Sequence, residues 1–424
     1  NILVSAAAGS GKTAVLVERI ISMVSEGEHP IDIDRLLIVT FTNKAAAEMR
    51  ERIGKAIDKK IKENPENTHL QKQMTLIHSA QITTIHSFCL NVIRNHFNMI
   101  DLDPSFRIAD EAELTLLKSD VISELLENYY EAGEEDFIDF IESFAAGKND
   151  DAIEALVLKL YNFSISYPWP EEWLEKRKNV FSVDSVEEMK NSDWMKALLL
   201  NIGTVVSDMK ERCEEALNIC KDADGPITYI PALQSDMELL ETLMGIEDYE
   251  EYGRALADFT FARLSNKKQE GVSEEKKNLV KDIRADIKKA IGDLKEYYFF
   301  QSPEEMLVDL QAMKRPMEVL IRLTMDFAKA FANKKAEKNL VDFNDLEHFA
   351  LNILVHKEGG VEKPSPAADE LSEYYEEILI DEYQDSNLVQ EKILNSISKE
   401  RMGRPNLFMV GDVKQSIYKF RLAR

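Results

Sequence analysis

The sequence predicts an α/β fold in which a parallel sheet, covered by helices on both faces, is split by a large all-helical insertion. Short apolar runs alternate with helical patterns over the first hundred residues and again after about residue 376. From about Asp110 to Leu354 the pattern is almost entirely helical. Apolar strands separated by helices are typical of a parallel sheet that is buried on both faces.

Five short apolar runs supply the expected strands. They lie at residues 2–4, 36–40, 81–84, 378–380 and 407–410. Because three of them precede the helical region and two follow it, one sheet must be assembled from both ends of the chain. We therefore predict an α/β domain formed by residues 1–104 and 340–424, and a helical insertion formed by residues 105–339.

The insertion carries helix signals of its own. Leu114, Leu117, Val121 and Leu125 form an apolar stripe at helical spacing. The run from Ser302 to Glu305 predicts a helix start, with Ser as the N-cap, Pro next and Glu at the third position. A kink is expected at Pro316, and residues 359–366 carry loop signals.

Composition limits the classes of protein that fit. The chain of 424 residues contains no stretch approaching the roughly 20 apolar residues of a membrane span. Its three cysteines are too few for a disulfide framework or a tetrahedral metal site. We therefore expect a reducing, cytoplasmic setting without a membrane partner.

The net charge of −25 argues at first against a nucleic-acid partner. The charge is uneven, however. Residues 1–100 hold 12 basic and 10 acidic side chains, and residues 401–424 hold 6 and 1. The middle holds 34 and 66, so the acidity belongs to the insertion and its flanks. Both ends can still present basic surface to phosphates.

A glycine-rich loop after the first strand predicts a phosphate-binding site. The loop consists of Ala6, Ala7, Ala8, Gly9, Ser10, Gly11, Lys12 and Thr13. Its glycines let backbone N–H groups turn toward phosphates, and the following helix N-terminus adds partial positive charge. Lys12 is then expected to reach the β- and γ-phosphates, and the Thr13 hydroxyl to bind Mg²⁺. Ala6 stands where the usual pattern has glycine, and the loop alone indicates only a nucleoside triphosphate.

An acidic pair, Asp381 and Glu382, ends the fourth apolar run. Alone it is more simply a solvated strand end. Beside a phosphate-binding loop, Asp381 can hold Mg²⁺ through water and Glu382 can orient and deprotonate the attacking water.

The segment after the fifth run combines aromatic and basic residues. Gln415 is placed to sense the γ-phosphate, while Tyr418, Phe420 and Arg421 suit single-stranded nucleic acid, whose bases stack on aromatic rings. The alternative is that these aromatic rings are buried in the core of the domain.

Taken in order, these segments resemble the motifs of UvrD/Rep-type superfamily-one helicases. Residues 40–50 look like motif Ia of that family, and residues 84–89 look like motif Ib. The resemblance covers the two α/β parts and implies a RecA-like motor domain 1A, with the insertion resembling subdomain 1B.

Within that family the chain most resembles the A subunits of AddAB helicase–nucleases, which are related to RecB. The similar segments are residues 2–13, 341–347 and 412–418, together with the long insertion. The resemblance implies ATP and Mg²⁺ as cofactors, single-stranded DNA and duplex junctions as substrates, and an AddB-like partner subunit. It also implies translocation from 3′ to 5′ and unwinding in double-strand-break repair and recombination.

The resemblance also implies roles for individual residues. Lys12, Glu382 and Gln415 match catalytic positions, Arg50 matches an arginine that approaches the phosphates, and Thr13 and Asp381 match the metal site. The positions that face DNA, or link it to the ATP site, are Phe41, Thr42, Asn43, Thr84, His86, Tyr418, Phe420 and Arg421. By itself His86 is more simply a core histidine. Ala14 departs from the family, in which many members have arginine.

The family's adenine-reading glutamine segment, second motor domain and nuclease domain have no counterpart in this sequence. Arginine fingers carried by the second motor domain accelerate phosphoryl transfer by about 10³–10⁵-fold. We therefore expect this chain alone to bind nucleotide weakly, to hydrolyse it very slowly and not to unwind DNA.

Two other functions fit parts of the pattern. The insertion could dock a partner subunit or duplex DNA, with the ATP site acting as a switch. A P-loop ATPase of another class, such as a transporter, is disfavoured because the sequence has no Leu-Ser-Gly-Gly-Gln signature.

Overall fold

A five-stranded parallel sheet lies at the centre of the α/β part of the chain. The computed structural model describes residues 1–5, 11–100, 102–145, 150–267 and 269–412. The strands of the chain are β1 (Ile2–Ser5), β2 (Leu36–Thr40), β3 (Gln81–Thr84), β4 (Arg107–Ile108), β5 (Leu340–Val341), β6 (Val355–Glu358), β7 (Val361–Pro364), β8 (Glu377–Ile380) and β9 (Leu407–Gly411). The central sheet has the order β1-β9-β8-β2-β3, which mixes strands from both ends of the chain as the sequence predicts.

Helices make up most of the remaining structure. The first nine are α1 (Lys12–Ser25), α2 (Asn43–Glu63), α3 (Thr68–Leu76), α4 (Ile85–His96), α5 (Glu111–Ala132), α6 (Glu135–Phe144), α7 (Asp151–Ser164), α8 (Pro170–Lys178) and α9 (Val186–Asn191). The others are α10 (Asp193–Lys221), α11 (Ile230–Met244), α12 (Tyr249–Asp258), α13 (Glu274–Tyr298), α14 (Pro303–Glu337), α15 (Phe343–Leu354), α16 (Pro366–Tyr374) and α17 (Leu388–Ser396). None of them is both long and apolar enough to cross a membrane among the residues that the structure describes.

Both faces of the sheet are covered, which confirms the predicted α/β fold. On one face Leu16 of α1 and Met49 of α2 pack with alternate residues of the strands, among them Ile38. On the other face α4, α15 and α17 pack against Val39 and Ile380. Side chains alternate between the two faces of a strand. The sequence of a strand that is covered by helices on both faces is therefore a continuous apolar run.

Small strands lie within and beside the helical region that the sequence indicates. β4 pairs in parallel with β5, joining residues 107–108 to residues 340–341. β6 and β7 form an antiparallel hairpin, so the prediction of a loop throughout residues 359–366 was wrong. Only Gly359 and Gly360 form the turn, with φ angles of 60° and 81°. Two successive positive φ angles are what a tight two-residue hairpin turn requires, and glycine adopts them easily.

The chain divides into two compact units. One is formed by the described parts of residues 1–176 and 319–424, and the other by those of residues 177–318. The first unit therefore contains the sheet and also α5, α6 and α7. The assignment of residues 105–339 to a single insertion remains a prediction.

The second unit is held by a helical core and a buried ion pair. α10, α11 and α13 supply most of its apolar core. Within it Arg284 donates to Asp236 through Nε at 2.5 Å and through an Nη atom at 3.0 Å. The side chains are only 4% and 0% exposed. The predicted helix start is also present, because Ser302 and Glu305 each accept from the backbone N–H of the other.

Candidate active site

The carboxyl ends of the five strands lie along one edge of the sheet. Thr40 is in register with Thr84, Val39 with Ile380, and Ser5 with Gly411. The chain segments that leave these strands carry most of the motifs singled out from the sequence. In open parallel sheets, ligands bind outside this edge.

The first helix of the site begins at Lys12, directly after the glycine-rich loop. Gly11 is its N-cap, with φ of 87° in the left-handed region, and no side chain caps this end. The first N–H groups of a helix lack partners within the helix and attract anions. Ala6, Ala7, Ala8, Gly9 and Ser10 lie outside the described residues, so their predicted part in the loop stays a prediction.

Lys12 meets the acidic pair at the end of β8. Its Nζ atom donates to Glu382 Oε2 at 3.0 Å, although the two residues are 370 positions apart in sequence. Lys12 is only 8% exposed, whereas the Glu382 side chain is 38% exposed. Glu382 has a φ of 55°, a conformation that is uncommon for residues other than glycine and turns the chain sharply after the strand. The structure thus brings together two residues that the sequence assigned to the same site.

The two carboxylates of the pair differ in their surroundings. Burial raises the pKa of Asp381, and the neighbouring charge of Glu382 raises it further. Burial also opposes ionisation of Glu382, but hydrogen bonds from Gln384 and Lys12 outweigh it and lower the pKa of that carboxyl. Glu382 is therefore held ionised beside a cation, whereas no described residue fully offsets the burial of Asp381.

Gln384 ties the acidic pair to the end of β9. Its Nε2 atom donates to Glu382 Oε2 at 2.8 Å, and its Oε1 atom accepts from the backbone N–H of Asp412 at 2.9 Å. A Cβ atom on Gly411 would lie 2.6 Å from Gln384 Oε1. Because residue 411 is a glycine, the side-chain amide of Gln384 can lie close to the backbone of β9. Sequence reasoning assigned no role to Gln384, although an amide two residues after an acidic pair is a usable signal.

The described residues fit a magnesium–nucleotide complex. Mg²⁺ prefers oxygen ligands and is commonly held by one or two carboxylates together with substrate phosphates. Asp381 offers such a carboxylate, and Thr13 stands in the first turn of α1 with its side chain partly exposed. The uncapped helix end and Lys12 supply the positive charge that polyphosphate requires.

Arg50 is engaged with backbone carbonyls. Its guanidinium donates to the carbonyl oxygens of Ile77, Ala80 and Ile82, which joins α2 to β3 and to the segment before it. Burial lowers the pKa of this guanidinium. Its predicted approach to phosphates remains a prediction. Sequence reasoning passed over Arg52, whose positive charge lowers the pKa of Asp381.

Of the residues predicted to face DNA, three directly follow β2 and Thr84 ends β3. Phe41 is 40% exposed, and Thr42 and Asn43 are exposed where α2 begins. Thr42 and Thr84 are both N-caps, accepting from the N–H groups of Ala45 and Ser87. The structure therefore gives both threonines a local capping role, and their predicted role toward DNA stays a prediction.

His86 is held by a helix from the second half of the chain. Its Nε2 atom lies 3.0 Å from Glu347 Oε1, and its ring packs edge-on against Phe343 at a centroid distance of 5.1 Å. Phe343 is itself 55% exposed. These residues line a cavity of about 1010 Å³, to which Lys118 and Lys159 also contribute. The predicted segment 341–347 contains both partners of His86, but the sequence did not reveal their roles.

Gln415, Tyr418, Phe420 and Arg421 lie outside the described residues. Their predicted roles at the γ-phosphate and at DNA therefore stay predictions.

Comparison with known proteins identifies the family. The model of the UvrD/REP helicase N-terminal domain matches residues 1–424. The chain belongs to this family. Its parallel sheet, covered by helices on both faces, is accordingly that of a UvrD/REP helicase N-terminal domain.

Several relatives of this UvrD/REP-type domain are each named as the A subunit of an ATP-dependent helicase/nuclease. The chain is 58% identical to the one from Lachnoclostridium phytofermentans, over all of this chain and 31% of that protein. It is 45% identical to that of Clostridium beijerinckii and 46% identical to that of Acetivibrio thermocellus, over all of this chain and 34% of each. The chain thus spans about a third of the length of these relatives.

Proposed function

We propose that this chain is the N-terminal motor part of an ATP-dependent DNA helicase/nuclease subunit of the AddA type. The parent subunit translocates on single-stranded DNA and unwinds duplex DNA during repair and recombination of double-strand breaks. The contact that carries the proposal is the one between Lys12 and Glu382, at 3.0 Å. It supports the proposal because a lysine suited to binding phosphate and a carboxylate suited to act as a general base lie together at one edge of the sheet.

The chain's own residues suit phosphoryl transfer to water. When bound, Mg²⁺ neutralises charge on the phosphates and polarises the bond to be broken. The Lys12 ammonium and the open N-terminus of α1 bind and orient the phosphates. Binding draws Lys12 away from Glu382, because the phosphates carry more negative charge than one carboxylate. Glu382 is then available to accept a proton from the attacking water.

The neighbouring strand ends suit single-stranded DNA. The exposed ring of Phe343 and the ring of Phe41 offer stacking surfaces, and every base has a face to stack on. Lys118 and Lys159 place positive charge in the cavity beside Phe343. Tyr418, Phe420 and Arg421 extend this proposed surface. Much of the acidity lies elsewhere, so the net charge of −25 is compatible with a local DNA site.

A partner protein follows from the names of the relatives, each of which is called one subunit of a helicase/nuclease. We propose that the complete protein acts in the cytoplasm and assembles there with an AddB-like subunit.

Two variants test the proposal in the complete protein with its partner. Lys12→Ala removes the phosphate-binding cation, and Glu382→Gln removes the proton acceptor while keeping its shape. Both are expected to abolish ATP-driven unwinding of a duplex with a single-stranded tail. Only Lys12→Ala should also weaken nucleotide binding. Unwinding that survives both changes would refute the motor function and favour a binding module that uses nucleotide as a switch.

A further inference from the structure

Glu347 is a buried carboxylate at the junction of three helices. Its side chain is 4% exposed and belongs to α15, one helical turn after Phe343. Such a carboxylate is costly to bury unless hydrogen bonds satisfy both of its oxygens. Here they do, and the donors come from two other helices.

The first donor belongs to the segment predicted to face DNA. His86 on α4 places Nε2 3.0 Å from Glu347 Oε1, and the Phe343 ring contacts the same imidazole at 61° between planes. Two residues of α15 that lie one turn apart therefore contact the same imidazole. Phe343 packs against its ring, and Glu347 accepts from its Nε2 atom.

The other donors belong to the segment that follows the acidic pair. Gln390 Nε2 donates to Glu347 Oε1 at 2.7 Å, and Asn387 Nδ2 donates to Oε2 at 3.0 Å. Asn387 is also the N-cap of α17, since its Oδ1 atom accepts from the N–H of Gln390 at 2.8 Å. Only four residues separate Asn387 from Glu382, and Gln384 between them donates to Glu382.

We infer that Glu347 is a positioning residue, which fixes the imidazole of His86 and joins it to the loop that carries Glu382. Through this link, single-stranded DNA beside His86 and nucleotide beside Lys12 influence each other's binding. The coupling rests on the proposed function, whereas the orientation of His86 does not.

The inference has a physical basis in how histidine is held. A neutral imidazole carries one N–H, and the partner of one ring nitrogen decides which nitrogen is protonated. Glu347 offers only acceptors, so it keeps a proton on Nε2 and leaves Nδ1 able to accept. A shift of the loop after Glu382 would move Asn387, and with it the carboxylate and the ring.

Two variants at this position separate charge from shape. Glu347→Gln keeps one acceptor but turns an N–H₂ group either toward Asn387 or toward Gln390 and His86, all of which donate to the native carboxylate. Glu347→Leu removes every acceptor. Glu370→Gln, on an exposed position of α16, is the matched control.

The first readout is the tautomer of His86, measured by NMR on the 424-residue chain labelled with ¹⁵N-histidine and assigned with His86→Gln. The wild type and Glu370→Gln should show a proton on Nε2. Glu347→Leu should show a mixture of tautomers. Glu347→Gln should show a mixture too, and it is the variant to measure if Leu at this position prevents folding. An unchanged tautomer in the folded variants overturns the positioning role, whatever the chain does with DNA.

The second readout is the affinity of fluorescent oligo-dT with and without Mg²⁺ and a non-hydrolysable ATP analogue. In the wild type the nucleotide should change this affinity about fivefold or more, a usual size for coupled sites. Glu347→Gln should bring the ratio toward one, while affinity for nucleotide alone stays within about twofold, as for independent sites. If the affinities of Glu347→Gln for oligo-dT with and without nucleotide have the same ratio as in the wild type, the coupling is overturned. If the wild type binds neither oligo-dT nor the ATP analogue, the proposed function is contradicted, and the coupling that rests on it is contradicted as well.

Discussion

The ammonium of Lys12 lies 3.0 Å from a carboxylate oxygen of Glu382, so each residue of the candidate active site holds the other before any nucleotide arrives. Lys12→Ala should lower affinity for Mg²⁺·ATP by about 10- to 100-fold, since a hydrogen bond to a charged group contributes about 1.5–3 kcal/mol. Titration with a fluorescent ATP analogue measures this. Lys55→Ala, at a side chain that is 75% exposed on α2, should leave the affinity unchanged.

Gly411 should not tolerate a side chain. A Cβ atom there would lie 2.6 Å from Gln384 Oε1 and 3.2 Å from the Gln384 backbone nitrogen. Gly411→Ala should therefore destabilise the chain by about 1–3 kcal/mol, as overpacking does. In contrast, Gly54→Ala would meet only Ile77 at 3.5 Å inside a helix, and should be neutral or stabilising by up to about 1 kcal/mol. Thermal unfolding of both variants compares them, and equal midpoints would contradict the steric argument.

The stability of the second unit should depend on both members of its buried ion pair, Arg284 and Asp236. Arg284→Met leaves the carboxylate of Asp236, which is 0% exposed, without its cation. Removing one partner of such a pair costs about 3–5 kcal/mol, whereas replacing both by apolar residues is often nearly neutral. Urea unfolding should therefore find Arg284→Met much less stable than the double variant with Asp236→Leu. A double variant no more stable than the single one would contradict this account.

Glu362 should make stability depend on acid pH. Burial opposes its ionisation, but hydrogen bonds from Lys392 and Trp169 outweigh burial and lower its pKa below the ordinary 4.5. Because the folded pKa is lowered, the stabilisation is fully present above about pH 4.5. It is lost as the pH falls through the lower, folded pKa.

Glu362→Gln tests this dependence. At pH 7 the variant should be less stable by about 1 kcal/mol or less, since the pair is partly exposed. The difference in unfolding midpoint should shrink below pH 4.5, and a difference that grows there would show that the sign is wrong. Glu358→Gln, in the same hairpin with a side chain that is 73% exposed, is the control.

Phe343 should contribute to binding of single-stranded DNA. If a base stacks on its exposed ring, Phe343→Leu should weaken binding of oligo-dT by up to about 1–3 kcal/mol. Phe97→Leu changes another aromatic residue of the same unit, 40% exposed, and should have no effect.

Tyr418→Ala should weaken binding of oligo-dT in the same way as Phe343→Leu. An unchanged affinity would point instead to a role of Tyr418 in the core.

Much of the fold and of the nucleotide site could be predicted from local patterns. A continuous apolar run such as residues 36–40 indicates a strand covered on both faces, and the parallel sheet then brings strand ends together. Lys12 and the acidic pair were found because their chemistry depends on short, contiguous motifs. The hairpin around Gly359 and Gly360 was missed because its strands lack an apolar pattern and its glycines are equally typical of a loop.

Contacts between distant segments could not be predicted in the same way. Nothing local distinguishes Glu347 from a solvated glutamate, since its partners lie on helices far away in sequence. Arg50 is a similar case, because its motif indicates phosphates whereas its observed partners are backbone carbonyls formed only by the tertiary fold. Such residues become visible when burial and hydrogen bonding are known.

The sheet order also bears on how the chain folds during synthesis. Ile2 on the first strand pairs with Phe408 on the strand β9. At about 5–20 residues per second, a ribosome needs about 20–80 s to make the intervening chain. Until then β1 and β2 have no complete sheet to join, and apolar segments such as Leu36–Thr40 remain open to wrong pairing. The candidate active site is therefore among the last features of the sheet to form, and the strands made first stay exposed to wrong pairing until β9 is made.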